Sequence, residues 1–213
     1  MYRSVLKNGQ DSFIERKSQF IGYAFPVTSE EEALDKIAQI KAKNKDATHN
    51  CSAYIIGEDK LIQRYNDDGE PSGTAGIPML EVLKRENLTN VCLVVTRYFG
   101  GILLGAGGLV RAYSHGAKIA LDASHIVEMR EFERLSLTYD YSFHGEITNR
   151  LIKAGYKILK ETYTDKVSLE IHSELGDNSI KKELTNLTSA KIDIKVLKNE
   201  RLPCNKGKII YKS

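Results

Sequence analysis

The chain has 213 residues, 41% of them hydrophobic and 28% charged, with a formal net charge of +3. That length allows one large domain or two small ones, and the composition is ordinary for a soluble globular protein. No apolar run reaches membrane-spanning length and Met1 to Phe20 lacks the apolar core of a signal peptide, so a cytoplasmic protein with no membrane partner is expected.

The three cysteines, Cys51, Cys92 and Cys204, form no C-x-x-C pair. Free thiols are expected in place of a disulfide framework. The charge is unevenly spread. Residues 1–130 balance at 16 basic and 16 acidic side chains, and residues 131–213 carry 15 and 12. From Lys191 onward there are seven basic groups against two acidic ones. Such a bias suits an acidic partner such as RNA and equally suits a solvated face.

In chain order, residues 17–27 alternate in part and predict a strand. Ser29 with Glu32 forms a capping box for a helix through about Lys43, whose apolar positions are Ala33, Leu34, Ile37 and Ile40. Residues 51–56 and 60–65 predict two strands joined by Gly57-Glu58-Asp59. A polar loop spans Asp67 to Gly76, and Pro78 suits the first turn of the next helix. Val91 to Val95 predicts a buried strand, and Gly105 to Ala123 a long helix.

The pattern then changes. Residues 124–130 and 133–141 predict short strands, and Phe143 to Ala154 a helix stopped by Gly155. Tyr156 to Thr162 and Val167 to His172 predict a strand pair, and Asp177 or Asn178 caps a further helix. Ile192, Ile194 and Val196 alternate as a last strand. The order β-α-β-β-α-β is the ferredoxin-like unit. Two domains are expected, 1–130 and 131–213.

Three places could carry chemistry. Between the buried strand and the long helix lie Arg97, Tyr98, Phe99, Gly100 and Gly101, then Gly105, Gly107, Gly108 and Arg111. These glycines serve either tight turns and close helix packing, or bare N–H groups presented to an anion beside two arginines. The loop matches neither G-x-G-x-x-G nor the P-loop. The polar loop holds Asp67, Asp68 and Glu70 with Ser72 and Thr74, read as a solvated turn or as acid, base or magnesium ligands. His49 and Cys51 face one side of a strand, but a zinc site needs further ligands and no second Cys/His pair lies nearby. The strand at Lys166 to Ser173 offers no stacking aromatics, so RNA binding there would rest on backbone charge and shape, with no DNA specificity.

DATHNCSAYIIG (46–57), NDDGEPSGTAGIPMLEVL (66–83) and NVCLVVTRYFGGILLGAGGLVRAY (90–113) resemble the signatures of the IMPACT family, and the chain looks like its bacterial, YigZ-type members. The resemblance implies an α+β fold. Its first domain would be like ribosomal protein S5 domain 2, a sheet with helices on one side, and its second ferredoxin-like, the pair being similar to the tip domains of elongation factor G. The eukaryotic member restrains a stress kinase that controls translation initiation. It carries an extra N-terminal RWD domain that is not expected here.

A non-enzymatic, translation-associated regulator is therefore expected, binding ribosomal or structured RNA or a translation-factor or regulatory protein partner. The expected binding residues are His49, Asp67, Asp68, Glu70, Ser72, Thr74, Arg97, Tyr98, Phe99, Gly100, Gly101, Gly105, Gly107, Gly108 and Arg111. The two loops should converge on one face, with Arg97 and Arg111 donating to phosphate. No catalytic residue, metal or cofactor is expected. The alternative is an enzyme that binds a phosphorylated small molecule or nucleotide at the glycine-rich loop. The S5-like fold also houses the GHMP kinases, although their P-x-x-x-G-L-x-S-S-A motif is missing.

Overall fold

The computed structural model describes residues 1–211. It separates into a unit spanning Tyr2–Glu128 and a unit that begins at Met129. The first contains β1 (Tyr2–Val5), β2 (Gly9–Glu15), β3 (Ser18–Pro26), α1 (Glu30–Lys43), β4 (His49–Ile56), β5 (Ile62–Asn66), α2 (Gly76–Arg85), β6 (Val91–Tyr98) and α3 (Gly105–Ser124). Five strands form one sheet in the order β2-β3-β6-β4-β5, antiparallel throughout.

Val91 to Val95 of β6 form an unbroken apolar run because both faces of the sheet are covered. Val91, Leu93 and Val95 pack with Met79 and Leu83 of α2 and Tyr113 and Ala117 of α3. Cys92 and Val94 point the other way, toward Ala33 and Ile40 of α1. Two helices thus lie on one face and the third on the other, which corrects the expectation of helices on one side. The amphipathic stripe of α1 needed its own apolar surface, and Tyr23, Phe25 and Tyr54 provide it.

α1 begins as its sequence signals. Ser29 Oγ accepts from the Glu32 N–H at 3.1 Å, while Glu32 reaches back one residue further, to the Thr28 N–H at 2.6 Å. α3 lies unusually close to the sheet. A Cβ at Gly22 would sit 2.1 Å from the Gly116 carbonyl oxygen, so backbone packs on backbone there. β1 and β2 had no sequence signal. β2 is a sheet edge with mostly exposed side chains, so no alternation marks it.

The second unit contains β7 (Ile126–Tyr139, starting just before the boundary), a 3-10 turn (Tyr141–Phe143), α4 (His144–Lys153), β8 (Lys160–Tyr163), β9 (Val167–Glu174), α5 (Ser179–Leu187), β10 (Asp193–Asn205) and β11 (Lys208–Ile209). The strand order β10-β7-β9-β8 is that of the ferredoxin-like sheet, extended by β11. Leu135, Leu137, Leu169 and Ile171 face Ile147 and Leu151 of α4 and Ile180 and Leu184 of α5.

β7 is one strand where two were expected. The charged residues that interrupt its apolar pattern are paired: Arg130 with Glu174, Glu131 with Arg201, Glu133 with Lys181, and Arg134 with Glu170. Among the described residues no helix is long and apolar enough to cross a membrane.

Candidate functional site

The polar loop is folded by its own carboxylates. Asp67 accepts from the N–H groups of Gly73, Ala75 and Gly76 at 2.8, 3.1 and 2.7 Å. It thereby caps α2, whose N-cap residue Ala75 has no side-chain acceptor. Asp68 accepts from Lys41 Nζ at 2.6 Å and from the Asn50 N–H at 2.7 Å, tying the loop to α1 and β4. Thr74 donates to the Pro71 carbonyl at 2.7 Å, and Ser72 stays exposed. Neither a solvated turn nor a metal cradle describes this loop. Among the described residues no group of three or more His, Cys, Asp or Glu could hold a metal ion.

Glu70 alone turns inward. Its side chain is 3% exposed, and Oε1 accepts from Arg97 Nη1 at 2.7 Å and from the Tyr113 hydroxyl at 2.8 Å. His49 Nε2 lies 3.8 Å from Glu70 Oε2. Sheet register explains the meeting. His49 and Arg97 are direct partners across β4 and β6, as are Cys51 and Val95, so all four share the face covered by α3. His49 Nδ1 donates to the Asp68 carbonyl at 2.8 Å, which turns Nε2 toward Glu70.

The reactive groups nearby are held quiet. Burial pushes the Cys51 thiol up to about 12, against the opposing hydrogen bond with Tyr113 and with help from the neighbouring carboxylates. That thiol donates to the Asp67 carbonyl at 2.9 Å. Burial likewise carries the Tyr113 phenol far above its ordinary range. The Arg97 guanidinium is sandwiched between Phe20 and Phe99, 5.5 and 5.4 Å from their ring centres. Its Nε is buried without a hydrogen-bond partner among the described residues.

The glycine loop closes the site from the other side. A Cβ at Gly100 would lie 1.9 Å from the Lys17 carbonyl oxygen, so the loop threads directly against the β2–β3 turn. Gly101 and Gly105 hold φ of 84° and 68°. Close packing accounts for Gly100 and turn geometry for Gly101 and Gly105. The two loops meet at a cavity of about 360 Å³. Glu70 and Arg97 form its buried polar side, with His49 partly exposed beside them; Pro71, Phe99, Leu103, Leu104 and Leu109 are among its other lining residues.

Other expected residues fall elsewhere. Arg111 is exposed and lines a second cavity of about 470 Å³ with Phe13, Ile14, Glu15, Arg16, Leu104, Gly108 and His115. The two arginines expected to grip one phosphate therefore do not share a cavity, and the charge of Arg97 is already offset by Glu70. Tyr98 alternates to the opposite face, where its hydroxyl lies 3.2 Å from Asn44 Oδ1. Gly107 stands on the open side of α3, 3.7 Å from Arg111 Nη1 when a Cβ is added. Sequence reading passed over Leu103 and Leu104. An apolar pair inside a glycine-rich loop was the available signal, because loops are ordinarily polar.

Residues 16–121 match the Impact N-terminal domain, and residues 137–191 match a domain of unknown function (DUF1949). The chain is 44% identical over 195 residues to IMPACT family member YvyE of Bacillus subtilis (strain 168), covering 91% of this chain and 90% of that one. It is 34% identical over 153 residues to IMPACT family member YigZ of Escherichia coli (strain K12), covering 67% and 74%. A solved structure described as a hypothetical protein superposes with a TM-score of 0.57 at 28% identity, covering 92% of this chain and 97% of that one.

Proposed function

This chain belongs to the IMPACT family, and on that premise we propose that it is a non-enzymatic regulator associated with translation, which acts by holding a protein of the translation machinery at the cavity between the polar and glycine loops. The translation setting is what the family resemblance implies.

The observation that carries the binding reading is the closure of the buried acid–base group on itself. Glu70 is neutralised by Arg97, Asp67 is occupied by three backbone N–H groups, and the Cys51 thiol is held protonated. None is poised for turnover at neutral pH. The mouth of the cavity, by contrast, exposes Phe99 and Leu103 to solvent, as a protein-binding surface does.

A protein partner draws more support than RNA. In the second unit, where the basic excess sits, Arg130, Arg134, Arg150, Lys181, Lys195, Lys198 and Arg201 are all engaged with carboxylates. Fewer cations are left for phosphates than the sequence count suggests. A nucleotide at the glycine loop draws less still, because Arg97, the arginine that lines the cavity there, is already neutralised by Glu70.

Co-sedimentation with purified ribosomes, and capture by a reconstituted set of translation factors, test the reading across a salt series. Association that survives moderate salt supports a protein contact, whereas steep loss with salt assigns it to RNA. No association with either, even at low salt, overturns the proposal.

A further inference from the structure

The cavity at Glu70 and the cavity at Arg111 adjoin, because Leu104 lines both. Their shared rim is apolar and open. Leu103 is 80% exposed, Ile14 is 74% exposed, and Phe99 lies half open beside them. Three large side chains left in water on neighbouring segments of one unit mark a contact surface.

The charge around this rim is one-sided. The two-residue turn between β2 and β3 consists of Arg16 and Lys17, since Glu15 and Ser18 are the last paired positions. Both turn residues hold left-handed backbone, with φ of 43° and 63°. That geometry is one for which Asn-Gly is the favoured pair. Two long cationic side chains are instead kept there, in a strained conformation, next to Gly100. Among the described residues, the exposed Arg16, Lys17 and Arg111 form no ion pair, and Glu15 is the one carboxylate lining either cavity besides the neutralised Glu70. His115 is stacked edge-on against Phe13. The first turn of α3 has no acidic residue and no side-chain cap, so its N–H groups add partial positive charge beside Gly105.

We propose that the two cavities form one docking groove for a partner's peptide segment that carries large apolar side chains with acidic neighbours. The proposal rests on the protein-binding reading above and names the chemistry of the partner. Leu103, Leu104 and Ile14 receive the apolar anchors, while Arg16, Lys17 and Arg111 receive the carboxylates. RNA fits less well: two of the three exposed rim side chains are aliphatic, and Phe99 is already laid over Arg97.

The test selects a random 16-residue peptide display library on the full chain, with counter-selection on Leu103→Asp. An enriched peptide is then labelled and titrated by anisotropy. The expected result is enrichment of Leu, Ile or Phe next to Asp or Glu, with binding at least tenfold weaker to Leu103→Asp. Leu103 is too exposed for that variant to lose its fold, and its melting midpoint checks this.

The decisive variant replaces Arg16-Lys17 by Asn-Gly. It should melt at a higher temperature, yet bind the peptide several-fold more weakly and with a flatter salt dependence. Enrichment of basic or uncharged peptides, unaltered binding by the Asn-Gly variant, or displacement of the peptide by a random-sequence 20-nucleotide RNA would each overturn the groove. Co-sedimentation undiminished by Leu103→Asp overturns the groove and leaves the translation reading standing. Peptide binding without any association with translation components overturns that reading and leaves the groove.

Discussion

Glu70 and Arg97 meet at 2.7 Å with side chains only 3% and 6% exposed, and they come from two segments 27 residues apart in the sequence. Such a pair contributes little net stability, since desolvation offsets attraction, but its halves are costly to separate.

Glu70→Gln and Arg97→Gln should each destabilise the first unit by about 3–5 kcal/mol, because each leaves a buried charge uncompensated. The Glu70 change also removes the carboxylate acceptor that Tyr113 uses. Urea titration reads the loss. A double variant no worse than either single one would demonstrate the coupling, and simple additivity would count against it.

Gly22 of β3 and Gly107 of α3 should respond in opposite directions to replacement by Ala. Gly22→Ala places a Cβ 2.1 Å from the Gly116 carbonyl oxygen, so helix and sheet must part, at a cost of about 1–3 kcal/mol or more. Gly107→Ala meets only the end of Arg111 at 3.7 Å and should stabilise by roughly 0.5–1 kcal/mol, as Ala replaces Gly in a helix. Thermal melts of the two variants check the signs.

Cys51 and Cys92 should resist alkylation in the native protein. Burial lifts both thiols to about 12, and the thiolate is the reactive form. Labelling by iodoacetamide at pH 8 should wait for unfolding and speed up with urea. Prompt native labelling of Cys51 would count against this assignment.

Acid should weaken the second unit through His172. Burial holds this imidazole below its ordinary 6.5, even though Glu200 favours its charged form, while Arg134 and Lys198 oppose it. Its ring stacks on Tyr211, and Nε2 sits 3.5 Å from Glu200. Because the folded value is the lower one, the contribution is fully present above pH 6.5 and is lost as pH falls through the folded value. His172→Gln should flatten the dependence of the melting midpoint on pH between 7 and 5, and an unchanged slope would count against this assignment.

Much of the local structure was legible. The run Val91 to Val95, the Ser29 cap, the alternation of Leu135, Leu137 and Tyr139, and the β-α-β-β-α-β order all carry their cause within a few residues. Periodicity and capping are short-range physics. Edge strand β2 was not legible, since one exposed strand needs no apolar stripe. The interruption of β7 by charges also misled, because cross-strand pairing is invisible one strand at a time.

What the sequence by itself determined is where the helices and the apolar-patterned strands form, which family signatures they carry, and that the chemistry-bearing residues gather in two loops. Only the tertiary structure decided what those residues do. The β4–β6 register sets His49 beside Arg97, and the close approach of α3 at Gly22 brings Tyr113 to Glu70. Together they turn an expected phosphate donor into half of a buried ion pair and leave Arg111 outside. A charge's role depends on its partner and on its distance from water, and both are set by segments far apart in the chain.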